Sequence, residues 1–177
     1  GMVGHTAVRY YVMGERSVEE LATDEEIKQM AEIVGESMDG GAVGFSTNRY
    51  PPHVGPDGRS IPGTYAEAKE LLEIAKVVGE KRGLMQNVLD FGGQPEFSVK
   101  LLKDLASTTR DRILFSMGTG PDLESGKRVR GLLKELCSEG GDITAISQPR
   151  SSGFMFGLQS GLPFAGETWD HLRTKDL

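Results

Sequence analysis

The stretch Gly40–Thr64, GGAVGFSTNRYPPHVGPDGRSIPGT, decides the fold. The paired glycines stop a helix, the apolar run Ala42–Phe45 predicts a short buried strand, and Ser46, Thr47 and Asn48 mark its carboxyl end. A loop of roughly 16 residues rich in proline and glycine follows, and a loop that long inside a compact domain is usually functional or disordered. Thr64-Tyr65-Ala66-Glu67 closes it as a predicted capping box, the threonine hydroxyl and the glutamate each satisfying an amide of the first helical turn. On a parallel α/β scaffold the loop beyond a strand's carboxyl end is where ligands sit.

Outward from this stretch the chain alternates helices and short strands. Toward the amino end, Thr23-Asp24-Glu25-Glu26 is a second capping box, and Ile27, Met30, Ala31, Val34 and Met38 keep one face of the following helix apolar. His5–Met13 predicts a turn and short helix that follow a strand lying outside the sequence. Toward the carboxyl end, a helix over about Tyr65–Arg82 carries Ala68, Leu71, Leu72, Ala75 and Val78 on one side, and Gly83 stops it. Leu84–Leu89, Ile113–Phe115 and Ile143–Ile146 are the next strands. Between them lie helices near Pro95–Ala106, with Leu101, Leu102 and Leu105 inward, and Leu123–Glu139, with Val129, Leu132, Leu133, Leu136 and Cys137 inward. Strands recurring every 30 to 40 residues or so, with one helix between, have the rhythm of right-handed βαβ crossovers and a parallel sheet. About four such units predict half of a TIM-type (β/α) barrel in a single α/β domain over 1–177. The same rhythm permits a small open parallel sheet with helices on both sides.

The chain's 177 residues suffice for one core, but a whole (β/α)8 barrel typically takes about 250. A formal charge of −6 argues against nucleic-acid or acidic-membrane partners. The single cysteine, Cys137, excludes an internal disulfide and a multi-cysteine zinc site, which fits a cytoplasmic protein. No apolar run approaches the about 18 residues of a membrane span, and no signal peptide is expected.

The segments GHTAVRYYVMG, GAVGFSTNRY and DGRSIPGTYAE closely resemble the amidohydrolase family that contains D-aminoacylase and N-acyl-D-amino-acid deacylase. The resemblance continues through RGLMQNVLDF to ISQPRSSGFMFGLQSG and so spans most of the chain. It implies a metal-dependent hydrolase on a TIM-type barrel acting on amide C–N bonds of N-acyl-D-amino acids, with zinc in the full-length parent. This sequence lacks the family's HxH, and its start matches the family's middle, so the resemblance implies an inactive internal piece without the metal site. Histidines end the two barrel strands of characterised D-aminoacylases that match Leu84–Leu89 and Ile113–Ser116, whereas here those stretches read LMQNVLD and ILFSMG.

Of the three histidines, His5 stands in the GHT motif, which the resemblance places at a barrel strand's end; it is one catalytic candidate, set against a structural turn residue. Asp90, just beyond a predicted strand, is the other. Ser46, Thr47, Gln86, Ser116, Gln148 and Arg150 fall at predicted strand ends and His53 in the long loop; these are the substrate-binding candidates, set against plain backbone capping. His171 is expected at the surface or an interface. No metal ligand set is evident: the histidines are far apart in sequence and show no HxH or HxxxH spacing. Gly118-Thr119-Gly120 fails as a P-loop, because Pro121 and Arg128 stand where glycine and a hydroxyl are required. Cys137, on an apolar helical face, is expected to be a buried small hydrophobe rather than a nucleophile. Two function classes follow: part of a hydrolase for small-molecule substrates, or a non-catalytic module that binds a small ligand or assembles with another chain. Open sheet edges predict a homo-oligomer.

Overall fold

The computed structural model describes residues 1–147 apart from 92, 94, 110, 111, 118–122 and 139–141. Five parallel strands form one sheet: β1 Val3–Gly4, β2 Gly44–Asn48, β3 Leu84–Val88, β4 Arg112–Ser116 and β5 Ile143–Ile146. Their order across the sheet is their order along the chain. Between them come α1 His5–Met13, a 3-10 turn Gly14–Ser17, α2 Asp24–Asp39, α3 Ala68–Glu80, α4 Pro95–Thr109 and α5 Leu123–Ser138.

Sequential strand order decides between the two expected architectures. A sheet covered on both faces needs its strand order to reverse at some point, whereas right-handed crossovers that always step to the next strand put every helix on one face. This sheet is therefore an open, partial (β/α) barrel. One strand more is present than the four expected, because Val3–Gly4 pairs with Phe45 and Ser46 as β1. His5–Met13 thus follows a strand within the described residues, contrary to the expectation of a missing one.

The core lies between the sheet and its helices. Phe45, Met85, Ile113 and Phe115 point from the strands into a layer of Met30, Val34, Leu71, Ile74, Val78, Leu101, Leu102 and Leu105, all essentially inaccessible. These helix residues recur at spacings of three and four, which holds a single stripe against the strands. The first capping box forms as expected: Glu26 N donates to Thr23 Oγ1 at 3.2 Å and Thr23 N to Glu26 Oε2 at 2.8 Å.

Three local expectations fail for identifiable reasons. The box at Thr64–Glu67 does not form, and α3 starts at Ala68 with Glu67 as an N-cap that makes no side-chain bond. Gly63, at φ +97°, turns the chain sharply, and Thr64 Oγ1 is spent on the carbonyl of Ile61 at 2.9 Å. Strand β2 begins at Gly44 rather than Ala42 and runs on to Asn48, so Ser46 and Thr47 lie within it, while Val43 is exposed. Cys137 is exposed, whereas its neighbours Leu133 and Leu136 are buried; Val129 and Leu132 lie outside the described side chains.

The long loop is folded. An antiparallel bridge joins Val54 to Ser60, Gly55 N donates to Arg59 O at 2.8 Å, and Thr6 Oγ1 donates to Pro62 O at 3.1 Å, tying the loop to α1.

Candidate functional site

Strand alternation sorts the candidate residues onto two faces. Residues 45 and 47 of β2 face the helices; 44, 46 and 48 face the opposite, concave side, which in a barrel is the interior. Register then sets concave-face neighbours: Ser46, Gln86 and Leu114 make one row, and Asn48, Val88 and Ser116 the next toward the carboxyl ends. Ser46 Oγ donates to Gln86 Oε1. One row higher, Asn48 Nδ2 donates to His53 Nδ1 at 2.6 Å, and the imidazole meets Tyr50 edge-on at 5.1 Å. Asn48 Oδ1 also accepts the Tyr50 amide at 3.0 Å. The loop thus folds an exposed histidine back over the end of its own strand. Ser46, Gln86, His53 and Ser116 form one polar wall, with Ser116 in register but without a bond to the others.

Thr47 belongs elsewhere. Its hydroxyl lies under the helices, 2.8 Å from Nδ1 of His5, whose Nε2 lies 2.6 Å from Glu70 Oε1. His5 is 1% exposed, the first residue of α1, and its ring tilts against Phe45 at a centroid distance of 5.3 Å. Arg9, one turn further along α1, donates Nε to the same Glu70 oxygen at 3.0 Å, Nη1 to Ser17 O at 2.6 Å and Nη2 to Glu20 O at 2.9 Å. A buried cluster of His5, Arg9, Thr47 and Glu70 therefore joins α1, β2 and α3 behind the polar wall. Gly63 closes it from the loop side: a Cβ there would lie 2.6 Å from His5 Nδ1.

Both ring nitrogens of His5 are engaged, so it acts as a tie between elements rather than as a group presented to a substrate. Burial pushes its pKa below the ordinary 6.5, against the opposing pull of the Glu70 carboxylate. A folded pKa below the unfolded one means that the unfolded chain takes the proton first on acidification. Stability from this group is complete above about pH 6.5 and is lost as pH falls through that value, by at most about 1.4 kcal/mol per pH unit. Urea unfolding of the wild type and of His5→Gln from pH 7.5 to 5 is expected to show the steeper acid loss in the wild type; parallel curves would refute it.

Asp90 is half-buried in the loop after β3, where Oδ1 accepts the Gly93 amide at 2.8 Å and its carbonyl accepts Ser98 Oγ at 3.1 Å. Those bonds shape the turn into α4. Gln148, Arg150, His171 and the Gly118–Pro121 motif lie outside the described residues.

Glu70 and Arg9 were missed in the sequence, yet each has a signal. Glu70, Ile74 and Val78 recur at spacings of four, as do His5, Arg9 and Met13, so each charged residue shares a face with buried apolar ones. Asn87 on β3 was missed too; it is buried, its Nδ2 shared between Met85 O and Leu114 O at 3.3 Å, its Oδ1 without a partner. Among the described residues no three His, Cys, Asp or Glu side chains converge as metal ligands. The described residues do not fit a metal centre.

No family model matches the chain. Over 83 residues, 47% of this chain, it is 32% identical to the D-aminoacylase of Alcaligenes xylosoxydans xylosoxydans, and the matched part is 15% of that enzyme. Among solved structures, a D-aminoacylase studied for the role of its binuclear metal centre superposes with a TM-score of 0.70 at 20% identity, over 84% of this chain and 30% of that one. The D-aminoacylase described as defining a novel subset of amidohydrolases does so at 0.69 and 22% identity, with the same coverage. The chain thus spans less than a third of the relatives it matches, and its similarity to D-aminoacylases consists of a run of sequence and the partial-barrel fold.

Proposed function

We propose that this chain is part of an amidohydrolase that cleaves the amide C–N bond of N-acyl-D-amino acids. The single observation carrying this is the 32% identity to a D-aminoacylase over 83 residues. Support comes from the concave side of the sheet, where Ser46 and Gln86 lie mid-strand, Ser116 ends β4 and His53 sits in the loop beyond β2, toward the carboxyl ends at which barrels bind substrates. In this reading the described residues supply one substrate-facing wall and, through the loop 49–66, part of its roof. The metal, zinc, is held by residues other than those described, and the 177 residues alone do not turn over substrate. The enzyme works in the cytoplasm; among the described residues no helix is long and apolar enough to cross a membrane.

Release of free amino acid from N-acetyl-D-methionine and from its L enantiomer tests this. The uninterrupted reading frame containing this sequence, supplied with zinc, is expected to hydrolyse the D form selectively, and the 177-residue chain neither form. Preference for the L form, or no hydrolysis by the longer polypeptide, would sink the assignment.

A second reading, assembly, is favoured by the open sheet. The concave face is only half-covered, and β5 exposes Thr144, Ala145 and Ile146. Strand edges with free amides and carbonyls template pairing with another chain, so we propose self-association of this chain, which light scattering on a sizing column would contradict by finding a monomer at high concentration.

A further inference from the structure

Arg49 is the first residue after β2, half-buried at the rim of the sheet. Its Nη1 donates to the carbonyl of Ala66, and its guanidinium lies over the Phe97 ring at 5.1 Å from the centroid. No carboxylate pairs with the guanidinium among the described residues, and Arg49's one other hydrogen bond there is from its main-chain amide to Val88 O at 2.8 Å. Arg9 is a second guanidinium whose charge reaches Arg49, and Glu70, whose charge opposes it, already accepts from Arg9 and His5. Two buried or half-buried cations thus lie within the influence of one carboxylate, and among the described residues the Arg49 guanidinium forms no ion pair of its own. Burial accordingly pushes the Arg49 guanidinium down from its ordinary value, with the Arg9 charge adding to the effect and Glu70 opposing it.

Such a charge is costly unless something neutralises it. Next to it is a cavity of about 30 Å³ lined by Arg49, Thr64, Tyr65, Asp90, Phe97 and Ser98, which is room for about two water-sized groups. Asp90 also lines the cavity, with Oδ1 accepting the Gly93 amide, but no ion pair joins it to Arg49. With Nη1 on Ala66, the Nε and Nη2 edge of Arg49 is left over among the described residues, and that edge is the fork that donates to two carboxylate oxygens side by side.

We propose that Arg49 is a carboxylate-anchoring residue, its guanidinium braced by Phe97 and the Ala66 carbonyl and its remaining edge receiving a ligand carboxylate in the cavity at the end of β2. Resting on the function proposed above, that carboxylate is the one an N-acyl amino acid carries. Glu70, the buried cluster and the loop turn at Gly63 hold the anchor in place, and the acyl amide lies toward the concave polar wall.

Calorimetric titration of the wild-type chain with N-acetyl-D-leucine and with the uncharged N-acetyl-D-leucinamide reads this directly. The acid is expected to bind at least about tenfold more tightly than the amide, the scale of one charged hydrogen-bonded contact. Arg49→Gln should abolish the preference and Arg49→Lys should keep part of it, with circular dichroism showing both variants folded. Equal binding of acid and amide by the wild type, or binding of neither, overturns the assignment, and this comparison decides even if Arg49→Gln does not fold. A preference for the acid in a protein whose full reading frame does not hydrolyse N-acyl-D-amino acids would leave the anchor standing and remove only the proposed reaction. Hydrolysis without the preference would do the reverse.

Discussion

Glu70→Ala is expected to lower the unfolding free energy by about 3–5 kcal/mol, the scale for removing one partner of a buried ion pair. Glu70 is 1% exposed, and its Oε1 is the shared acceptor for His5 Nε2 at 2.6 Å and Arg9 Nε at 3.0 Å. Truncation does not merely delete two bonds. Arg9 keeps its hydrogen bonds to Ser17 O and Glu20 O, so it stays where it is, now as a buried cation without a carboxylate in contact. That penalty, rather than the lost attraction, dominates the effect. Glu70→Gln keeps the shape and one acceptor oxygen and is expected to cost less, about 1–3 kcal/mol. Replacing both partners, Arg9→Met with Glu70→Leu, removes the stranded charge, so the double variant should lose clearly less than the two single losses added. Urea unfolding at pH 7 measures all five variants, the Arg9→Met and Glu70→Leu singles included. An alanine variant within about 1 kcal/mol of wild type would mean that the cluster is not the closed, dry tie between α1, β2 and α3 that the geometry describes.

The helix stripes and the alternation of strand and helix were plain in the sequence because they depend only on local periodicity. Ile27, Met30 and Val34, or Leu101, Leu102 and Leu105, are spaced by the helix itself, and the structure buries them all. Helix starts were legible only where no sharp turn competed: Thr23 caps α2, but Thr64, next to the positive-φ Gly63, bonds within the turn. What resisted reading was which face of the sheet a residue occupies. Ser46 and Thr47 are adjacent and chemically alike, yet one lies in the concave wall and the other under His5, because a strand flips sides at each residue and the register came from pairing with β3. The His5–Glu70 contact spans 65 positions, and nothing local encodes it beyond a charged residue at a buried helical spacing. For the same reason His5, a catalytic candidate by its motif, emerges as a structural tie. Arg49 escaped notice because an arginine after a strand looks like a solvated loop residue until it is seen half-buried against Phe97 with no ion pair among the described residues. Cys137 shows the limit in the other direction, since an apolar stripe predicted burial and the helix turns it outward.

Gly44→Ala is expected to destabilise the fold by about 3 kcal/mol or more, at or beyond the upper end of overpacking effects, because the clash it creates is with backbone. A Cβ on Gly44 would lie 2.0 Å from Leu84 O, 2.7 Å from Leu84 N and 2.8 Å from Leu84 C, inside the 3.0 Å that real Cβ atoms essentially never breach. Crowding by a side chain is relieved by changing rotamer, but here the neighbours are three main-chain atoms of the paired strand. Only separation of β2 from β3 makes room. Gly44 and Leu84 are the first register pair of that ladder, so separation there propagates toward Ser46 and Gln86, whose side-chain bond lies one inward-facing row along. The variant should therefore combine a lower urea midpoint with faster amide exchange in Phe45–Asn48 than in β4. Gly126→Ala is the internal contrast. It sits in α5 with nothing within 4 Å of its added Cβ, and alanine is the better helix former by roughly 0.8–1 kcal/mol, so that substitution should stabilise. Opposite signs from one added methyl group follow from the backbone approach between β2 and β3. If Gly44→Ala unfolded at the wild-type urea concentration, the two strands would not be paired in this register, and the polar wall built on that register would have to be redrawn.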